Sequence, residues 1–164
     1  MMKNGIRRAA ACLLALAALC AGAAAETLYD AVRLAFEDGF SLSVPADWVS
    51  YEVSEPLAER GYRYCLGSAD GARRMYVQLW PAECATLDEL REALAGREEI
   101  VLREGVGEEE TFVMYNFAEE DCSGCATLLD GSVLNLLFIP QSDAENMLIA
   151  ATVMESYEAG EASA

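Results

Sequence analysis

The sequence predicts an α+β fold, a single antiparallel β-sheet with helices packed on it as a layered α/β/α sandwich. Three observations predict it. Alternating apolar residues flank glycine turns at 32–44 and 62–79, the pattern of two β-hairpins. Two later segments, at 86–94 and 142–157, open on capping signatures and carry apolar residues at helical spacing. Between them, 133–139 is almost wholly apolar, as a central strand covered on both faces would be.

In the first hairpin Val32, Leu34 and Phe36 alternate with polar or small residues, as do Phe40, Leu42 and Val44. A three-residue loop, Glu37-Asp38-Gly39, with Gly39 left-handed, sets Phe36 opposite Phe40 and Leu34 opposite Leu42. A two-residue loop would split the apolar sets between faces, and burial of one face selects the former. The 49–57 stretch reads as a short strand ahead of Pro56 and a turn. A second hairpin with Asp70-Gly71 at its tip pairs Leu66 with Met75, Tyr64 with Val77 and Tyr62 with Leu79. That leaves Cys65/Tyr76 and Arg63/Gln78 on the other face.

Thr86-Leu87-Asp88-Glu89 is a capping box, followed by the stripe Leu87, Leu90, Leu94 and a stop at Gly96. Strands are expected at 100–103, 111–117, 126–129 and 133–139, with Asp130-Gly131 turning the last two. Ser142-Asp143-Ala144-Glu145 is a second capping box; its helix runs to about Tyr157 with Met147, Ala151 and Met154 along one side. Residues 158–164 are small and acidic and read as a frayed tail. With no internal repeat or linker, 26–164 is expected to be one domain.

Residues 1–25 read as a cleavable signal peptide. Lys3, Arg7 and Arg8 precede an apolar run rich in leucine and alanine, which ends at Ala23-Ala24-Ala25. The run is shorter than the roughly 20 apolar residues that span a bilayer, so no stable membrane span is expected after processing. Lipidation at Cys20 is the alternative, but Leu19 stands where the bacterial lipoprotein pattern has a small residue. The processed chain would be extracytoplasmic, secreted or in the periplasm or cell envelope.

Beyond residue 25 eight arginines face 28 acidic residues, a net charge of −20. Such a field repels phosphate backbones, which argues against nucleic acid and anionic lipid surfaces as partners. The sequence has no histidine, and its one lysine is Lys3. Ser-His-Asp and Cys-His nucleophiles, imidazole metal sites, Schiff bases, Ser-Lys dyads and P-loops are thereby excluded from the processed chain.

Four cysteines remain, Cys65, Cys84, Cys122 and Cys125. Cys122-Ser123-Gly124-Cys125 reads as a hairpin tip closed by a disulfide, its flanking residues about 5.5 Å apart at Cα. The alternative is a thiol–disulfide exchange site. Against it, no helix follows to stabilise a thiolate, and Glu119, Glu120 and Asp121 precede the motif. Cys65 and Cys84 either form a second bridge or stay as free thiols. Their spacing lacks the second C-x-x-C of a zinc ribbon. The acidic runs 108–110 and 119–121 lack the alternating ligands and glycine of a calcium loop and read as a solvated edge. No cofactor, metal or catalytic residue is expected. Among the aromatic residues, Tyr62 and Tyr64 read as core with Leu66, while Tyr76 and Trp80, on the other face, are the candidate binding surface.

The run Phe40-Ser41-Leu42-Ser43-Val44-Pro45-Ala46-Asp47-Trp48, the capped helix from Thr86 to Leu94 and the closing Met154-Glu155-Ser156-Tyr157 resemble the PsbP-like superfamily. The resemblance covers residues 28–157 as an order of elements. Plant members assist the photosynthetic oxygen-evolving complex through basic and metal-binding surface residues, which a chain without histidine does not supply here. The resemblance implies a scaffold for binding or assembly. The expected function is therefore a non-enzymatic exported domain that binds a protein or envelope component. The alternatives are thiol–disulfide exchange by Cys122 and Cys125 and a carboxylate-dependent hydrolase.

Overall fold

The computed structural model describes residues 29–103 and 111–160, so the signal segment, the acidic run at 108–110 and residues 161–164 lie outside it. Seven strands form one antiparallel sheet in the order β3-β4-β5-β9-β8-β7-β6. They are β3 (Val49–Tyr51), β4 (Tyr62–Gly67), β5 (Arg74–Pro81), β6 (Ile100–Leu102), β7 (Val113–Phe117), β8 (Ser123–Leu129) and β9 (Ser132–Ile139). As its composition requires, β9 is central. Leu134, Leu136 and Phe138 enter one core, and Val133 and Leu137 enter another on the opposite face.

The first hairpin, β1 (Ala31–Phe36) and β2 (Phe40–Pro45), has the expected register, with Gly39 at φ +85°. It stands apart from the large sheet, so the strands divide over two sheets within the α+β class. Phe40, Leu42 and Val44 of β2 are buried against the Leu134/Leu136/Phe138 face. A third strand, β10 (Glu158–Ala159), pairs with β2, and Arg33 of β1 forms an ion pair with Glu158. The expectation of fraying therefore fails for Glu158 and Ala159; a backbone ladder and an ion pair hold them.

Among the described residues three helices complete the layers, α1 (Glu55–Glu59), α2 (Leu87–Ala95) and α3 (Ala144–Glu155). On the first face α3 lies against β2 and β9, burying Ile149, Ala150 and Val153. The expected Met147–Ala151–Met154 side is only partly buried, because the helix is rotated to bring Asn146 and Ile149 inward. Its N-cap is Asp143, whose carboxylate accepts from the Glu145 and Asn146 amides. Ser142, the expected cap, instead donates its amide and hydroxyl to Asp121. On the opposite face α2 buries Leu90 and Leu94 over β6, β7 and β8. Thr86 caps it as expected, while Glu89 reaches back to the Ala85 amide. α2 covers the β6–β7–β8 half of this face; on the β3–β4–β5 half the helix contact is that of the short α1 with β4.

The second hairpin keeps the predicted pairs Leu66–Met75 and Tyr64–Val77, then departs from prediction. A bulge at Arg63 pairs Tyr62 with Gln78 rather than Leu79. One inserted residue reverses facing, so Tyr62 leaves the side of Tyr64 and joins Tyr76.

Candidate functional site

The β3–β5 half of the face that α2 leaves free carries a ladder of partly exposed tyrosine and arginine side chains. Arg74 and Tyr76 alternate along β5 and share a face, and Tyr51 of β3 reaches the same face through its pairing with Cys65. The Arg74 guanidinium lies 4.5 Å from the centre of the Tyr51 ring and donates from Nη1 to the Tyr76 hydroxyl at 3.4 Å. Tyr76 meets Tyr62 edge-on, with centroids 5.8 Å apart. Arg60 completes the ladder 5.9 Å from the Tyr62 ring. Both arginines avoid carboxylates: among the described residues neither forms an ion pair. Burial raises the Tyr62 phenol, and the Arg60 charge partly opposes it.

A hydrogen-bonded relay under the ladder holds it in place. The Tyr115 hydroxyl donates to Asn135 Oδ1 at 2.7 Å, and Asn135 Nδ2 donates to Gln78 Oε1. Gln78 Nε2 then donates to the Arg60 carbonyl at 2.8 Å. Tyr115 and Asn135 are buried, so this chain of satisfied polar groups ties the end of the ladder to the sheet centre.

Of the two residues expected to form a binding surface, Tyr76 lies in the ladder. Trp80 shares its face but lines a separate groove of about 260 Å³ with Asp38, Arg63, Pro81, Asp130 and Ser132. Sequence reasoning missed Arg60, Tyr51 and Tyr62. The facing of Arg74 was legible from its alternation with Tyr76; that of Tyr62 was hidden by the bulge.

The cysteines do not form the expected structures. All four are free thiols, three of them buried. The β7–β8 turn is closed by the Phe117 amide donating to the Cys122 carbonyl, so Ser123-Gly124 is strand rather than hairpin tip. Cys122 and Cys125 thus lie three positions apart on extended chain, about 10 Å, beyond disulfide reach. They serve opposite cores, Cys122 with Leu90 and Val113, Cys125 with Leu136 and Phe138. Burial first, then Glu120 and Asp121, push the Cys122 thiol up to about 12. Burial also raises Cys125 and Cys65. A thiol at about 12 leaves on the order of one thiolate in 10⁵ at pH 7, and the thiolate is the nucleophile. Cys65 lies buried opposite Tyr76, and Cys84 is half-buried against the core under α2, with no bridge between them. Among the described residues no group of three His, Cys, Asp or Glu side chains is placed to hold a metal. None of the described helices is long and apolar enough to cross a membrane.

No protein-family model and no curated protein matches this sequence. Among solved structures it is similar to the solution structure of cyanobacterial PsbP (CyanoP) from Synechocystis sp. PCC 6803. The two superpose with a TM-score of 0.53 at 14% identity, over 85% of this chain and 98% of that one. The fold is PsbP-like. A crystal structure from Bacteroides thetaiotaomicron VPI-5482 matches at TM-score 0.48 and 16% identity, over 74% of this chain and 45% of that one. With the PsbP-like fold come the order of elements and the layered α+β arrangement; at this identity the likeness extends to the fold and no further.

Proposed function

We propose that this chain is an exported, non-enzymatic domain of 26–164 that binds a protein or envelope component through the Tyr51–Arg74–Tyr76–Tyr62–Arg60 ladder. The observation that carries the reading is the half-open sheet. α2 packs over β6–β8 of one face, and over β3–β5 partly exposed tyrosine and arginine line the same face. These residue types dominate the energetics of protein interfaces, because they combine large, stiff contact area with directed donors. A PsbP-like fold fits an accessory or binding role. The buried, raised thiols of Cys122 and Cys125 speak against the thiol-exchange alternative.

The test is site-directed photocrosslinking in the producing cell. A photoreactive residue at position 76 is expected to give a defined adduct. One at Leu148, exposed on the opposite face in α3, is expected to give none. The adduct at position 76 is expected to vanish when Tyr62 is changed to Ala. Equal labelling from both faces would overturn the reading.

A further inference from the structure

Three arginines elsewhere in the described chain are matched with carboxylates: Arg33 with Glu158, Arg73 with Asp143 and Glu145, Arg97 with Glu99. Arg60 and Arg74 are laid on tyrosine rings instead. A guanidinium has five N–H donors, and Arg74 commits one of them to Tyr76, so both heads keep donors free to turn outward. In a chain where acidic residues outnumber basic ones 28 to 11, two cations at the ends of one tyrosine ladder, neither in an ion pair among the described residues, are charges open to a partner from outside.

Resting on the ladder as the binding face, we infer that its occupant is a carboxylate-bearing peptide segment of a partner protein. Glutamate or aspartate side chains of that segment take the free donors of Arg60 and Arg74, while its apolar atoms lie on Tyr62, Tyr76 and Ile139. Two arguments favour a peptide over other polyanions. The guanidinium fork suits carboxylate and phosphate alike, but a dense polymer of charge is repelled by the acidic surface as a whole. At 0.15 M salt that repulsion is screened beyond about 8 Å, whereas a few carboxylates in contact with two guanidiniums are not. Ile139, which pairs in register with Arg74, is 37% exposed on the same face, and offers an apolar contact that a peptide can use and a phosphate chain cannot.

The experiment uses the processed full-length protein, a fluorescent peptide alternating glutamate with leucine, and anisotropy in 0.15 M NaCl. The glutamate peptide is expected to bind about tenfold more tightly than its glutamine counterpart, the effect of one charge-assisted contact worth about 1.4 kcal/mol. Arg60→Gln with Arg74→Gln should abolish that preference, and lysine at both positions should restore part of it, with the thermal midpoint unchanged throughout. Equal binding of the two peptides, no effect of the double variant, or tighter binding of polyphosphate would overturn the inference. So would a dimer seen in sedimentation without peptide and dissolved by Arg74→Gln, since the occupant would then be a second copy. Should the crosslink at position 76 survive the double arginine variant yet vanish in Tyr62→Ala, the face binds its partner without carboxylates; the inference then fails and the surface reading stands.

Discussion

Gly124 shows how a single residue settles the meaning of a motif. A Cβ built there would lie 2.3 Å from Cζ of Tyr115, whose ring crosses the strand so that its hydroxyl reaches Asn135. Glycine in Cys-Ser-Gly-Cys is therefore a packing requirement of the tyrosine, with Cys122 and Cys125 filling the cores on either side. Gly124→Ala must displace either the β8 backbone or the ring. Displacing the ring would leave Asn135 Oδ1 buried without its donor. Overpacking of this kind costs about 1–3 kcal/mol, and the lost hydrogen bond adds to it. Chemical denaturation of Gly124→Ala should show a loss in that range or above, whereas Gly131→Ala, at a turn open to solvent, should respond only to its φ of +78°. A loss below 0.5 kcal/mol at Gly124, about the scale of an ordinary surface substitution, would mean that Tyr115 is free to move.

At the scale of elements, the β4 bulge and the α3 N-terminus matter most. The bulge moves Tyr62 across the sheet and so creates the ladder; without it the pattern 62/64/66 would stay on one face. Helix α3 is anchored by Arg73, whose guanidinium holds Asp143 at 2.7 Å and Glu145 at 2.6 Å. The hydrogen bond from Arg73, then those from the capped amides and the Arg73 charge, hold the Asp143 carboxyl below its ordinary value of 3.8. A depressed folded value means that the ionised carboxylate stabilises the fold at every pH above the unfolded value. This contribution is lost as pH falls below 3.8 and through the folded value. Asp143→Ala should thus lower the thermal midpoint at pH 7, and its gap from the parent should narrow between pH 4 and pH 2. A gap independent of pH would show that the cap and pair contribute through packing alone.

For the whole molecule, charge and covalent state are the testable quantities. On the proposed cleavage after Ala25 the chain would carry a net charge of −20 and four cysteines. The intact mass of the exported protein, alkylated without reduction, should correspond to 26–164. The native form should resist label at Cys122 and Cys125, which are buried and far from ionisation at pH 7, while the unfolded form should take four labels. Label on Cys122 and Cys125 in the native protein would reopen thiol exchange. A lipid-sized addition on a chain beginning at Cys20 would tether the domain to a membrane.

Residue order by itself determined the fold class, the loops at Gly39 and Asp130-Gly131, the Thr86 cap and the central place of β9. These depend on local periodicity and turn chemistry: alternation shows which face is buried, and Gly39 and Asp130-Gly131 supply the positive φ their turns need. The second hairpin keeps its register from Leu66–Met75 to Tyr64–Val77 but turns through a longer loop than the two residues expected. The exclusions from missing histidine and lysine are equally a matter of composition. Only tertiary structure decided that the first hairpin forms its own sheet with β10, that Cys122 and Cys125 part to opposite cores, and that Tyr62 crosses to Tyr76. Each depends on contacts between residues far apart in the chain. A one-residue bulge reverses facing without altering composition, and the coverage of half a sheet by α2 is fixed by packing volume, which no local pattern encodes.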